Sequence, residues 1–283
     1  MKPPIFIIGT QRSGTTLLCR ILTVHPNIFI RNEVPGVTKI FSAGRTRVQI
    51  MADLDFAMEE SLGANLEDFL VQNRKTRWGL KDPDLTHCLE PLNDAFQDAR
   101  ITFIIRDGRA VANSYIKNMR SLGGNTYYGA LRWQREVNTQ LDFARQHRER
   151  CHIIKFEDLI GNHVEELKKL CDFIDEPYAD ELTNYYEHST VITKRKQSKN
   201  VFRKPDIRLT KKWMTDLSSF QINVFETVAG ETLTQLGYEP IGKKINISPP
   251  IKFWFYLQQT IIGEIQLQYQ WRFKRILRKI FNR

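Results

Sequence analysis

One stretch constrains this chain more than any other: IFIIGTQRSGTT, from Ile5 to Thr16. Four consecutive large apolar residues feeding a glycine describe a strand buried on both faces, and such a strand needs helices packed on both sides of a parallel sheet. The G-x-x-x-x-G frame from Gly9 to Gly14 is that of a phosphate-binding loop between strand and helix. The lysine that a nucleoside triphosphatase carries after the second glycine is missing. Thr15 and Thr16 stand there instead, and the nearest cation is Arg12. Loop N–H groups and the positive end of the following helix form an anion nest, and the glycines let the backbone approach its ligand. Ser13, Thr15 and Thr16 add hydroxyl donors, while Arg12 supplies a permanent charge that binds phosphate bidentately. The plainer reading is a tight glycine turn with no ligand.

The same grammar returns in ITFIIRDGRAVANSYIKNMR, Ile101 to Arg120. Five β-prone residues precede Arg106, Asp107 and Gly108, and then Val111, Tyr115 and Met119 recur at a helical spacing of four. Arg106 and Ser114 would clamp a second phosphate. Two phosphate sites at strand ends suit a nucleotide phosphorylated at both ends of its ribose; alternatively Arg106 and Asp107 simply pair with each other. Further strands are expected near Asn27–Ile30, at Trp78–Leu80 before a polar KDP turn, and at Cys151–Phe156 as another buried strand. Helices are expected at Thr15–Thr23, Leu85–Phe96, Tyr128–Gln146, Val164–Phe173 and Ser219–Leu236, the last closed by Gly237. Strands alternating with helices predict an α/β, P-loop-like three-layer fold: a central parallel sheet flanked by helices, with a C-terminal helical tail and ligands at the carboxyl ends of the strands.

A length of 283 residues accommodates one large domain, taken as 1–245, followed by a basic, aromatic-rich amphipathic tail at 246–283. Forty-two Lys and Arg against 32 Asp and Glu leave a net charge of +10, which favours anionic partners. Cys19, Cys88, Cys151 and Cys171 show neither zinc-ligand spacing nor a disulfide framework, and Cys19 and Cys171 fall at apolar helical positions. No apolar run approaches the roughly 18 residues of a membrane span, and MKPP leads straight into the first strand, so a cytoplasmic location is expected. Residues 194–212 are rich in Lys and Arg with little periodicity, a basic loop that is either a solvated surface or a lid over an anionic cofactor. The tail mixes Phe253, Trp254, Phe255, Tyr256, Trp271 and Phe273 with basic residues from Arg272 onward. It can lie on a membrane, dock a partner or pack on the domain.

These motifs together resemble the sulfotransferases that use 3′-phosphoadenosine 5′-phosphosulfate (PAPS). GTQRSGTTLL is similar to that superfamily's 5′-phosphosulfate loop and FIIRDGRAVANSY to its 3′-phosphate motif. The resemblance continues through HPNIFIRNE, KDP, KFEDL, the basic loop and LGYEP, covering roughly residues 4 to 240, and is nearest to the tyrosylprotein sulfotransferase branch. It implies that Arg12, Ser13, Gly14, Thr15 and Thr16 hold the 5′-phosphosulfate and that Arg106 and Ser114 hold the 3′-phosphate. Phe156 matches an aromatic position beside the adenine. Glu33 falls at the general base, Lys81 at a transition-state-stabilising lysine, and Ser198 at a second stabilising residue that also touches the cofactor. Arg203, Lys204 and Lys212 complete the cofactor's basic cover. One departure is Asn118, flanked by Lys117 and Arg120, where the family has a basic residue. The disulfide pattern of secreted relatives is not reproduced either.

The implied partners are an acceptor hydroxyl, foremost a tyrosine in an acidic peptide, with no nucleic acid and no metal; homodimerisation and peripheral membrane contact through the tail are open. A phenol has a pKa near 10, so a base is needed at neutral pH, and Glu33 would serve unless it is merely a surface or capping carboxylate. Arg12, Lys81 and the loop N–H groups would stabilise charge developing on the leaving phosphate. The alternatives are a carbohydrate, lipid or small-molecule acceptor, a P-loop kinase, and a nucleic-acid or membrane-surface binder driven by charge alone.

Overall fold

The computed structural model describes residues 2–118, 120–188, 203–204 and 206–268. Five parallel strands form one sheet: β1 (Ile5–Ile8), β2 (Ile28–Asn32), β3 (Arg77–Lys81), β4 (Arg100–Ile105) and β5 (Cys151–Lys155), in the spatial order β2-β3-β1-β4-β5. Each side chain along β1 goes to one of two cores. Phe6 and Ile8 join Phe29, Trp78, Leu80, Phe96 and Phe103 on one face. Ile5 and Ile7 join Leu18, Ile21, Leu22, Ile104 and Leu170 on the other. An apolar run with no polar alternation is therefore what a central strand between two layers requires. The chain leaves β1 for β2, returns to β3 beside β1, and then crosses to β4 on the other side. The order thus reverses around β1, which makes its carboxyl end the crevice where ligands bind in such sheets.

Strand β5 departs from expectation. It lies at the sheet edge, only Ile154 of its five residues is buried, and Ile153 is 40% exposed. An apolar pair reads alike on a central and an edge strand, because the sequence does not say how many neighbours a strand has. The helix expected from Leu85 likewise begins as a tighter turn, Pro83–Cys88, before Leu89–Ala95. Pro83 occupies its first position and the Asp82 carboxylate accepts the Asp84 N–H, which winds the entry.

Contacts divide the chain into two compact units, one of residues 1–106 and 139–207, the other of 107–138 and 208–283. The first contains the whole sheet. In the second, Phe225 of the helix Ser219–Gln235 packs on the buried Trp133 at 5.7 Å, close against Gly108 at the start of the helix Gly108–Asn118. Ser218 and Gln221 form a reciprocal capping box at the start of the latter helix, and Gly237, at φ 74°, follows its end. The tail begins as a helix, Pro249–Gln268, whose Phe255 is buried and stacks on Tyr127 at 5.4 Å. No helix among the described residues is long and apolar enough to cross a membrane. All four cysteines are free thiols, and burial pushes Cys19 and Cys151 up to about 12 and Cys171 to about 11.

Candidate active site

Each of the five strands delivers one expected site residue at its carboxyl end. Gly9 opens the first loop after β1, Glu33 follows β2, and Lys81 is the last residue of β3. Arg106 follows β4, and Phe156 follows β5. Parallel strands in register bring these ends level: Lys81 pairs with Asn32 on one side and with Ile7 on the other, and Lys155 pairs with Ile105. Residues scattered over some 150 positions of sequence therefore meet along one edge of the sheet.

The first loop is built as an anion cradle. A side chain at Gly9 would drive a Cβ to 2.4 Å from the Ile104 carbonyl oxygen, because strand and loop lie against β4 there. Gly14 has φ 106°, and a Cβ on it would lie 2.4 Å from the Phe156 ring. Gly14 caps the helix Thr15–Val24 with no side-chain hydrogen bond, so the first-turn N–H groups face the loop rather than a capping oxygen. The Thr10 and Ser13 hydroxyls are buried and have no hydrogen-bond partner among the described residues. Buried hydroxyls of this kind are satisfied in nearly all folded proteins, and two in one loop mark a place shaped for a ligand. The residues present thus fit a phosphate-type group.

Arg12 and Glu33 both adopt left-handed backbones, at φ 74° and 57°. Among the described residues two other non-glycine residues do so, Arg74 and Asp175, but each follows a helix end and is paired with a backbone bond spanning that end: Lys75 N to Leu70 O at 2.8 Å and Glu176 N to Cys171 O at 3.0 Å. Arg12 and Glu33 have no such helix to close. Their strain, of order 1–3 kcal/mol each, sits where the expected chemistry does.

Glu33 and Lys81 form the centre of the site. Lys81 Nζ donates to Glu33 Oε1 at 2.7 Å and to Thr16 Oγ1 at 3.3 Å, tying the residue after β2 and the end of β3 to the first loop. The lysine side chain is fully buried whereas Glu33 is 29% exposed, so the carboxylate is the member of the pair that reaches solvent. Glu33 N donates to Lys81 O at 2.8 Å. The next amide, Val34 N, donates to Asp82 Oδ2 at 3.2 Å, while Asp82 Oδ1 accepts from Asp84 N at 3.0 Å. Burial pushes Asp82 up to about 6 despite these two donors. Gln11 Nε2 reaches Asp84 Oδ1 at 3.3 Å. Thr10, Gln11 and Asp82 had no role assigned from sequence; KDP pointed to Asp82, yet nothing in the string shows that its carboxylate anchors Val34.

Arg106 stacks over the Phe156 ring at 4.5 Å and donates through Nη1 to the Arg12 carbonyl at 3.2 Å, so it joins the first loop to the aromatic residue after β5. Asp107, which one reading of the sequence paired with Arg106, is held by Arg109 Nε at 3.0 Å and Nη2 at 2.8 Å. Ser114 lies half-buried on the helix Gly108–Asn118 of the second unit. Asn118 donates to the Ser114 carbonyl at 3.2 Å, and Lys117 pairs with Asp216 at 2.5 Å. Arg203, Lys204 and Lys212 are exposed; the Arg203 carbonyl accepts from the Tyr185 hydroxyl at 2.9 Å. Ser198, with the rest of the loop from 194 to 202, lies outside the described residues.

Residues 3–180 match the Sulfotransferase family (Sulfotransfer_3), and the chain belongs to it. It is 24% identical to protein-tyrosine sulfotransferase 1 of Danio rerio over 88% of this chain and 76% of that one. Protein-tyrosine sulfotransferase A of Caenorhabditis elegans is 25% identical, with 88% and 70% covered. Among solved structures, the sulfotransferase domain from the curacin biosynthetic pathway superposes with a TM-score of 0.64 at 22% identity, covering 84% of this chain and 99% of that one. Mouse sulfotransferase SULT7A1 complexed with PAP gives 0.55 at 15%, covering 84% and 86%. The expected three-layer fold around a parallel sheet is thus the fold of known sulfotransferases.

Proposed function

We propose that this sulfotransferase moves a sulfuryl group from PAPS to the hydroxyl of a protein or peptide tyrosine, with Glu33 as general base. One observation carries the reading: the Glu33 carboxylate, the Lys81 ammonium and the Thr16 hydroxyl of the anion cradle converge within 2.7 and 3.3 Å of a single nitrogen. That arrangement supports reading Glu33 as the proton acceptor and Lys81 as a charge stabiliser beside a phosphate-type site. PAPS supplies an electrophilic sulfur bonded to a phosphate leaving group. Glu33, the solvent-reaching member of its pair, accepts the acceptor's hydroxyl proton as the new O–S bond forms. Lys81, Arg12 and the first-turn N–H groups stabilise the negative charge left on phosphate oxygen as the old S–O bond breaks. Arg106, Ser114 and, from the basic segment, Ser198, Arg203, Lys204 and Lys212 are assigned to cofactor binding by the family resemblance. The tyrosine acceptor follows the names of the similar proteins, and the +10 charge suits acidic residues around it.

Two measurements test this reading. Saturating 3′-phosphoadenosine 5′-phosphate at 100 times its dissociation constant should stabilise the fold by about 2.7 kcal/mol in a thermal-shift titration, with ADP or ATP plus magnesium giving less. A shift with ATP and magnesium alone would replace PAPS by a kinase-type nucleotide. Labelled sulfuryl should then pass to an acidic tyrosine peptide and not to its phenylalanine version. Transfer only to a carbohydrate, lipid or small-molecule hydroxyl would keep the enzyme class and overturn the acceptor.

A further inference from the structure

The helix Pro249–Gln268 has two faces of different character. One is occupied: Phe255 is 6% exposed, stacked on Tyr127, and its carbonyl accepts from Asn125 Nδ2 at 2.9 Å. On the other, Trp254 is 60% exposed, Ile261 54% and Ile265 64%. Spacings of seven and four put these three on one stripe of the helix, with Phe253, 60% exposed, beside it. Trp254 also lines an apolar groove of about 620 Å³ with Phe220, Ile116, Pro250 and Ile251, so the uncovered surface extends beyond a single helix. Scattered exposed apolar residues need no explanation, but a contiguous aromatic and aliphatic stripe does.

The sequence around that stripe says what covers it. From Pro249 to Arg283 the only acid is Glu264, whereas Lys252, Arg272, Lys274, Arg275, Arg278, Lys279 and Arg283 are basic. The cations after Gln268 are interleaved with Trp271, Phe273, Ile276, Leu277, Ile280 and Phe281. A second copy of this chain would bring the same cations against themselves, and an acidic protein surface would leave so many large apolar side chains unmatched. An anionic lipid surface matches both at once, taking apolar side chains into the headgroup boundary and cations at the phosphates. We infer that the segment from Pro249 to Arg283 docks this enzyme peripherally on an anionic membrane, through the Trp254, Ile261 and Ile265 stripe and the basic residues that follow it.

The test is sedimentation of the full chain with vesicles of phosphatidylcholine, alone or with about 30% phosphatidylserine. Binding should be at least about tenfold tighter to the anionic vesicles and weaken steeply with salt. Substituting Trp254→Ser, Ile261→Ser and Ile265→Ser together should lower it by at least about tenfold, because hydroxyls do not partition into the interface as these side chains do. Should that variant melt below assay temperature, the unmodified protein still decides the matter. Brominated lipid quenches tryptophan at the interface and not the buried Trp78, Trp133 and Trp213, so quenching that falls in Trp254→Phe supports the inference. Equal affinity for neutral and anionic vesicles, no sedimentation with either, or absence of quenching would overturn it. So would a vesicle-free dimer in light scattering that the triple variant abolishes, which would give the stripe to a second copy.

Discussion

Two clusters in this molecule each set a basic side chain against carboxylates and are put to opposite uses. In the first unit, Glu33 and Lys81 pair at the strand ends with one partner reaching solvent, beside strained backbone and two buried hydroxyls that have no partner among the described residues. In the second unit, Arg109 is closed in from every side. It makes a bidentate pair with Asp107, donates to Glu226 Oε1 at 2.6 Å and to the Glu239 carbonyl at 2.9 Å, and lies over the Trp213 ring at 4.1 Å. Glu226 accepts two further N–H groups, from Ile241 at 3.1 Å and Gly242 at 2.7 Å. A cluster whose hydrogen bonds are saturated internally holds a fold together, whereas one whose carboxylate reaches solvent beside a loop shaped for an anion is poised for a ligand. RDGRA therefore splits: Arg106 faces Phe156 and the first loop, while Asp107 and Arg109 are structural.

The comparison is broken first by Glu33→Gln. Removing the base while keeping the shape should cut turnover by as much as about 10⁴-fold, with nucleotide-induced stabilisation nearly unchanged. Single-turnover assays beside the thermal-shift titration check this, and retained turnover would reduce Glu33 to a partner of Lys81. The mirror experiment is Glu226→Ala. Asp107 still compensates the Arg109 charge, but Arg109 Nη1 and the Ile241 and Gly242 amides lose their shared acceptor, which should cost about 1–3 kcal/mol in urea unfolding. A loss well under 1 kcal/mol would show the second cluster to be as solvent-relieved as the first.

The split also shows what the sequence made legible. The parallel sheet was readable from IFII and ITFII because buried strands announce themselves, and the two loops from glycine and arginine spacing. Arg106 was readable from its place at a strand end, Glu33, Lys81 and Phe156 were found by resemblance to a family, and the meeting of all four could not be read from spacing, because strand order decides it. The left-handed backbones of Arg12 and Glu33 carry no sequence signature, since neither residue is glycine or asparagine. Arg109 pairs with Glu226 across 117 positions, and no local pattern reports a contact of that range. Ser198 remains an assignment by resemblance.

A third substitution, Gly14→Ala, probes the cradle itself. It forces a Cβ into the Phe156 ring and onto a φ of 106°, which should destabilise the first unit by roughly 1–3 kcal/mol and abolish the nucleotide-dependent shift. Loss of stability with the nucleotide response intact would mean that the loop binds through residues other than its second glycine.

The smallest effect separates the site from its support and is read in pH. Asp82 is buried against Glu33 and Asp84, and burial first, then these two carboxylates, raises it from 3.8 to about 6, while the Asp84 and Val34 amides pull the other way. A carboxyl raised on folding binds its proton more tightly in the native state than in the unfolded one, so its contribution to stability is fully present below pH 3.8 and is lost as pH rises to about 6. A shift of that size corresponds to at most about 3 kcal/mol, and relaxation of a site open to Glu33 will lower it. Asp82→Asn removes this titration, so the stability of the variant relative to the unmodified protein should rise between pH 4 and 6 and then stay level. Urea unfolding across that range measures the slope. A flat difference would mean that the two amide bonds outweigh burial at Asp82. The left-handed turn at Glu33 would then be held by an ordinary carboxylate, with no electrostatic cost carried beside the base.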